Sequence, residues 1–138
     1  MAKKTSQKAY VDSSAFISFL DRSDTYHSLF YSLFSDPVFL ITTSLVISET
    51  HAWFLKRYDH QRALQFLNFI EDLKPLHILT VGTKELQQAK VFIKKFSDQN
   101  LTLVDACGLW VMKSEKNVEC WSTDRHLGLT GIPLAIYL

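Results

Sequence analysis

KAYVDSSAFISFL, residues 8–20, passes from a strand to a helix across a single acidic residue. "KAYV" is a short apolar run of strand type, and Ser14 to Leu20 has helical character. Asp12 therefore stands at the carboxyl end of a strand and at the start of a helix. The pattern recurs once, where Asp124 follows the strand-like "VECWST". An Asp before a helix is common as a cap, and for either residue alone capping is a sufficient explanation.

Outward from this unit, short apolar strands alternate with longer helical patterns. "TYHSLFYSLF" is helical, and Asp36-Pro37 ends it ahead of the strand "VFLIT". Ser44 is placed to cap a helix running to about Tyr58, and a further helix covers Gln61 to Leu73. Pro75 precedes the strand "LHILTV", and Thr83 to about Phe96 is helical. After the loop "SDQN", a helix begins at Thr102 or Leu103; "VECWST" is a strand, and "LAIYL" is expected as a closing edge strand. The strands are mostly continuous apolar runs, which suit a parallel sheet buried on both faces by helices. Only 4 glycines and 3 prolines leave little room for a turn-rich all-β fold.

A chain of 138 residues with 47% hydrophobic side chains is expected to form one domain, 1–138, with residues 1–7 as a flexible N-terminal extension. No apolar run approaches the roughly 18 residues that cross a bilayer, and "MAKKTSQKAY" has no signal-peptide core. Cys107 and Cys120 lack C-x-x-C spacing and read as small core residues in a reducing compartment. A cytoplasmic protein is the expectation.

Two further acids interrupt helical apolar stripes. Asp105 in "LTLVDACGLWVMK" has Leu101 four residues before it and Leu109 four after; Glu49 stands likewise between Leu45 and Trp53. Asp105 has no basic residue within four positions on either side, so no local ion pair neutralises it. A tertiary salt bridge is the ordinary alternative for either acid taken singly.

One explanation covers all four. Asp12 and Asp124 at strand ends, where open α/β folds bind ligands, and inward-facing Glu49 and Asp105 on flanking helices can converge on one point. Clustered carboxylates do not all stay ionised without a cation. All-oxygen ligation suits Mg²⁺ or Mn²⁺, and such ions serve phosphodiester hydrolysis. The net charge of +1 hides this arrangement: with the four acids set apart, 15 basic side chains face 10 acidic ones, and Lys56-Arg57 and Lys94-Lys95 become phosphate contacts to consider.

"VDSSAFISFLD", "TSLVISE", "LTLVDA" and "STDRHL", in that order and with a final "TGIPL", resemble the PIN-domain family, and within it the VapC-type ribonuclease toxins. The resemblance spans nearly the whole chain. It implies a three-layer α/β/α sandwich around a parallel sheet of about five strands, and metal-dependent endonuclease activity on RNA. Asp12, Glu49 and Asp105 match the three acids most often needed for metal, Asp124 the more variable fourth, and Ser122 the small hydroxyl residue two positions before it. In that reading Glu49 or Asp124 orients or deprotonates the attacking water. His126 is expected as a solvated loop histidine, and Asp21 on a surface turn. The resemblance also implies a small antitoxin partner and a homodimer, with "HSLFYSLF" and "HAWFLKRY" as the surfaces to offer them. A receiver domain would need paired adjacent acids and a late Lys, and a haloacid-dehalogenase-like phosphatase D-x-D where this chain has Asp12-Ser13-Ser14. A catalytically silent PIN scaffold is the main rival.

Overall fold

Ala9, Tyr10 and Val11 are at most 1% exposed, and their strand takes the middle of the sheet. In the computed structural model, which describes residues 7–138, the strands are β1 (Lys8–Val11), β2 (Phe39–Thr43), β3 (Leu76–Leu79) and β4 (Val118–Trp121). All pair in parallel, in the order β3-β2-β1-β4, with Tyr10 in register with Ile41 on one side and Cys120 on the other. The helices are α1 (Ser13–Leu20), α2 (His27–Ser35), α3 (Ser44–Arg57), α4 (His60–Asp72), α5 (Thr83–Lys95) and α6 (Leu103–Lys113). Residues 1–6 of the expected N-terminal extension lie outside the described residues; Gln7 donates its N–H to the Asn117 carbonyl.

The chain steps outward from β1 to β2 to β3, then returns past β1 to place β4 on its far side. Right-handed crossovers running in opposite directions put the two helical groups on opposite faces. Accordingly α1 contacts α2 and α3, and α3 contacts α4, while α5 and α6 contact each other and α6 lies against β1 and β2. The reversal of strand order falls between β1 and β4, and a crevice opens there at their carboxyl ends.

An aromatic core anchors α1 beside that crevice. Phe16 stacks on Phe34 at 5.8 Å and meets Phe66 edge-on at 5.5 Å, and Phe34 meets Trp121 of β4 at 5.0 Å. With Phe16 fully buried, the start of α1 is held over the end of β1. Gly108 of α6 passes so close to Tyr10 that a Cβ there would lie 2.9 Å from the phenol oxygen. Cys107 and Cys120 are free and buried, as core residues should be. Among the described residues, no helix is long and apolar enough to cross a membrane.

Two expectations are corrected. "LAIYL" is not a fifth strand: Leu134 makes one isolated bridge to Cys120, and Ala135–Tyr137 turn into a 3-10 helix. Pro133 accepts from the Cys120 N–H at 2.8 Å but has no N–H to return, so the ladder does not extend. The α3 cap is Thr43 rather than Ser44. Thr43 still has extended backbone at the end of β2, and its hydroxyl takes the Val46 N–H at 3.3 Å. The Ser44 hydroxyl instead accepts the Val81 N–H at 3.0 Å.

Candidate active site

Asp12 occupies the N-cap position of α1, but its carboxylate makes no capping hydrogen bond. It turns towards β4: Ser122 Oγ donates to Asp12 Oδ2 at 2.9 Å and Ser14 Oγ donates to the same oxygen at 3.1 Å. Capping therefore does not account for Asp12. It does account for part of Asp124, whose Oδ1 takes the His126 N–H at 3.0 Å. The Ser122 hydroxyl accepts the Asp124 N–H at 2.9 Å, so one serine ties the two strand-end acids together.

The helical acids arrive from opposite sides. Thr102 caps α6 by accepting the Asp105 N–H at 3.1 Å, which sets Asp105 in the first turn. Glu49, on α3, accepts from Ser13 Oγ at 2.7 Å. It is exposed, so the expectation of an inward-facing acid is corrected. The buried face of α3 is Val46, Thr50 and Phe54, one position round from the Leu45-Glu49-Trp53 stripe. Thr50 is tolerated there because its hydroxyl donates to the Val46 carbonyl at 2.7 Å.

All four acids line one cleft of about 420 Å³, together with Ser13, Ser14, Ile17, Ala52, Trp53, Lys56 and Thr102. Lys and Arg do not neutralise them: among the described residues the ion pairs are Lys8–Glu115 and His126–Asp124. Burial pushes the Asp12 carboxyl up to about 6, with the Asp105 and Glu49 charges adding and the Ser122 hydrogen bond opposing. Burial and the neighbouring Asp124 also raise Asp105.

Asp105, Asp124 and His126 can each bring a ligand atom within 4.8 Å of the others. His126 Nδ1 lies 3.1 Å from Asp124 Oδ1, so the expectation of a merely solvated loop histidine is corrected. Its neighbour Arg125 is exposed and lines a different hollow, with Gly128 and Pro133. Asp21 is on a turn, held by Ser23 and the Tyr58 hydroxyl, and takes no part. A converging, oxygen-rich donor set with raised carboxyl pKa values and no Lys or Arg partner fits a hard divalent cation.

Thr102, three residues before Asp105, has N-cap spacing that a reading of the sequence can find. Ser14 is different: its hydroxyl lies 3.2 Å from Ser122 Oγ and accepts the Thr123 N–H at 3.0 Å, contacts that span more than a hundred residues. No local pattern signals it.

The PIN domain family model matches residues 9–127, a span that holds all four acids and His126. No protein of curated function matches the sequence. Among solved structures, VapC20 of Mycobacterium tuberculosis, a sarcin-ricin loop cleaving toxin, has a TM-score of 0.81 at 18% identity, covering 90% of this chain and 95% of that one. VapBC2 of Rickettsia felis, bound to a DNA fragment from its promoter, has a TM-score of 0.61 at 11% identity, covering 92% and 96%. A Pyrobaculum aerophilum protein has 0.63 at 16% identity, covering 98% and 94%. These likenesses are of fold, across nearly the full length of each chain. With the family match running from β1 through the last acid of the cleft, this chain belongs to the PIN domain family.

Proposed function

We propose that this protein is an endoribonuclease that hydrolyses RNA phosphodiester bonds with Mg²⁺ or Mn²⁺ held by Asp12, Glu49, Asp105 and Asp124. The observation that carries the reading is the convergence of four carboxylates, none matched by Lys or Arg, on one cleft at the carboxyl edge of the sheet. Such a cation, when bound, supplies the positive charge that offsets the scissile phosphate and its leaving oxygen.

The chain's own groups do the rest. Ser122 and Ser14 both donate to Asp12 Oδ2 and so hold its rotamer in the wall of the cleft. Thr102 fixes the first turn that carries Asp105. Glu49, exposed and steadied by Ser13, or Asp124 orients the attacking water or takes its proton. Asp124 has one oxygen engaged by His126 and the other available.

The same reading makes the protein the toxin of a toxin–antitoxin pair, acting in the cytoplasm, with an antitoxin and a second copy of itself as partners. The VapC and VapBC likenesses support it. Tyr31, 58% exposed on α2, and Leu55, 47% exposed on α3, are apolar positions available to either partner.

The test is cleavage of total RNA by partner-free protein with Mg²⁺ or Mn²⁺, against EDTA and Asp105→Asn. Discrete fragments that vanish in both controls are expected. No cleavage by folded protein in either metal overturns the nuclease reading in favour of a silent scaffold.

A further inference from the structure

Hydrolysis itself gives no work to Trp53, yet Trp53 stands in the same wall as the acids. Glu49, Ala52, Trp53 and Lys56 of α3 all line the cleft. Their spacing of three, four and seven residues from Glu49 makes them one stripe along the helix. The stripe changes character as it runs: a carboxylate, then a methyl and an indole that share the cleft with Ile17 of α1, then an ammonium. Seven residues of helix rise by about 10 Å, so Lys56 sits well beyond the metal-binding end.

Trp53 is half-buried, against 1% exposure for Trp121. Its aromatic neighbours meet it at steep angles, Phe54 at 88° and Tyr58 at 65°, and among the described residues no ring stacks parallel to it. Lys56 is exposed and, among the described residues, pairs with no carboxylate although four share its cleft. A hollow that held only a cation would need neither the apolar wall nor the unpaired ammonium. A strand of nucleic acid needs both, a flat apolar surface for a base and a positive charge for the phosphate beyond it.

We propose that Trp53, with Ile17 and Ala52, is a stacking subsite for an unpaired nucleobase beside the scissile phosphate, and that Lys56 holds a neighbouring phosphate of the same strand. The substrate class is then single-stranded or loop RNA. Bases inside an A-form duplex are already stacked and paired and present no free face to an indole, whereas loops can splay a base out. This rests on the nuclease reading for the position of the scissile bond.

The experiment measures binding, with Ca²⁺ replacing the catalytic ion, by indole fluorescence and by anisotropy of labelled RNA. The full chain is compared with Trp53→Ala, Trp53→Phe and Lys56→Ala. Each is titrated with an unpaired oligonucleotide, the same sequence locked in a hairpin stem, and unpaired versions with single abasic positions. The parent is expected to prefer unpaired RNA and to show indole quenching that Trp53→Phe removes. Trp53→Ala should weaken binding roughly 5- to 150-fold, with Trp53→Phe between the two. The alanine loss should disappear at one abasic position, which general damage to the fold would not produce. Lys56→Ala should reduce the salt-dependence slope by about one.

Equal binding by the parent and both Trp53 variants, a loss that persists at every abasic position, or no preference for unpaired RNA overturns the subsite. The total-RNA assay separates the two readings. Cleavage with Trp53-independent binding removes the subsite and leaves the nuclease, and Trp53-dependent binding without cleavage does the reverse.

Discussion

Ser122 Oγ donates to Asp12 Oδ2 at 2.9 Å across 110 residues of sequence. The bond joins the ends of β1 and β4, the two strands that flank the reversal in strand order. It also opposes the effect of burial on Asp12, since a donor to the carboxylate favours its charged form. In the proposed reaction Ser122 would be a positioning residue, acting through Asp12 and, by its bond to the Asp124 N–H, through Asp124.

Ser122→Ala should leave Asp12 with Ser14 alone and push its pKa further up. Loss of an outer hydrogen bond to a metal ligand typically lowers metal affinity by about 10- to 100-fold. The Mg²⁺ concentration for half-maximal RNA cleavage should rise by that factor, and the acid limb of the pH–rate profile should move to higher pH. An unchanged Mg²⁺ requirement and an unmoved limb would show that Ser122 is only a strand-end residue.

Alanine at Asp12 or Asp105 should reduce RNA cleavage by at least about 100-fold, because a direct ligand is worth no less than its supporting partner. Circular dichroism and thermal unfolding should still report a folded protein. Either variant cutting RNA at the parental rate would remove that residue from the site.

Asp12 carries a stability consequence whose sign is fixed by the direction of its shift. In the metal-free protein burial pushes its carboxyl up to about 6, above the ordinary value of 3.8. Between those values the native state binds more protons than the unfolded state, so stability falls as pH rises through this window. Above it the cost is complete, on the order of 3 kcal/mol for a shift of this size. Asp12→Asn should therefore raise Tm in EDTA at pH 7.5, while having little effect near pH 4. Divalent metal should raise the Tm of the parent and not of the variant. A variant melting below the parent in EDTA at pH 7.5 would show that the buried charge is compensated.

Gly108→Ala tests the seat of β1. The new Cβ would lie 2.9 Å from Tyr10 Oη and 3.0 Å from its ring carbons. Tyr10 is 1% exposed and centrally paired, so it has nowhere to retreat. The usual gain from replacing a helical glycine is about 1 kcal/mol, and overpacking costs about 1–3 kcal/mol. A net loss and a Tm several degrees lower are expected, with reduced cleavage because Asp12 is two residues from Tyr10. A Tm above the parent's would mean that α6 can move away at no cost.

The alternation of strands and helices was legible in the sequence because it depends on local period, and the family resemblance rested on acids at the ends of those elements. Asp12 and Asp124 were visible as strand-end residues, and Glu49 and Asp105 as carboxylates where apolar neighbours were due. The limits of local period show in "LAIYL", where the composition suits a strand but Pro133 withholds a ladder donor. They show again at Thr43, which ends a strand and caps a helix at once, leaving Ser44 to serve Val81.

The sequence by itself determined the alternation of strands and helices, the family the chain resembles and the four acids that stand out as candidates, since each follows from neighbours within a few positions. The rotation of α3 that exposes Glu49, and the chain path that brings Ser14, Ser122 and His126 to the acids, were decided only in the tertiary structure. So was the placing of Trp53 and Lys56 in one wall with them. The physical reason is that these relationships depend on which helix face the shared aromatic core buries, and on β4 returning to the far side of β1. Both are settled by packing between segments far apart in the chain.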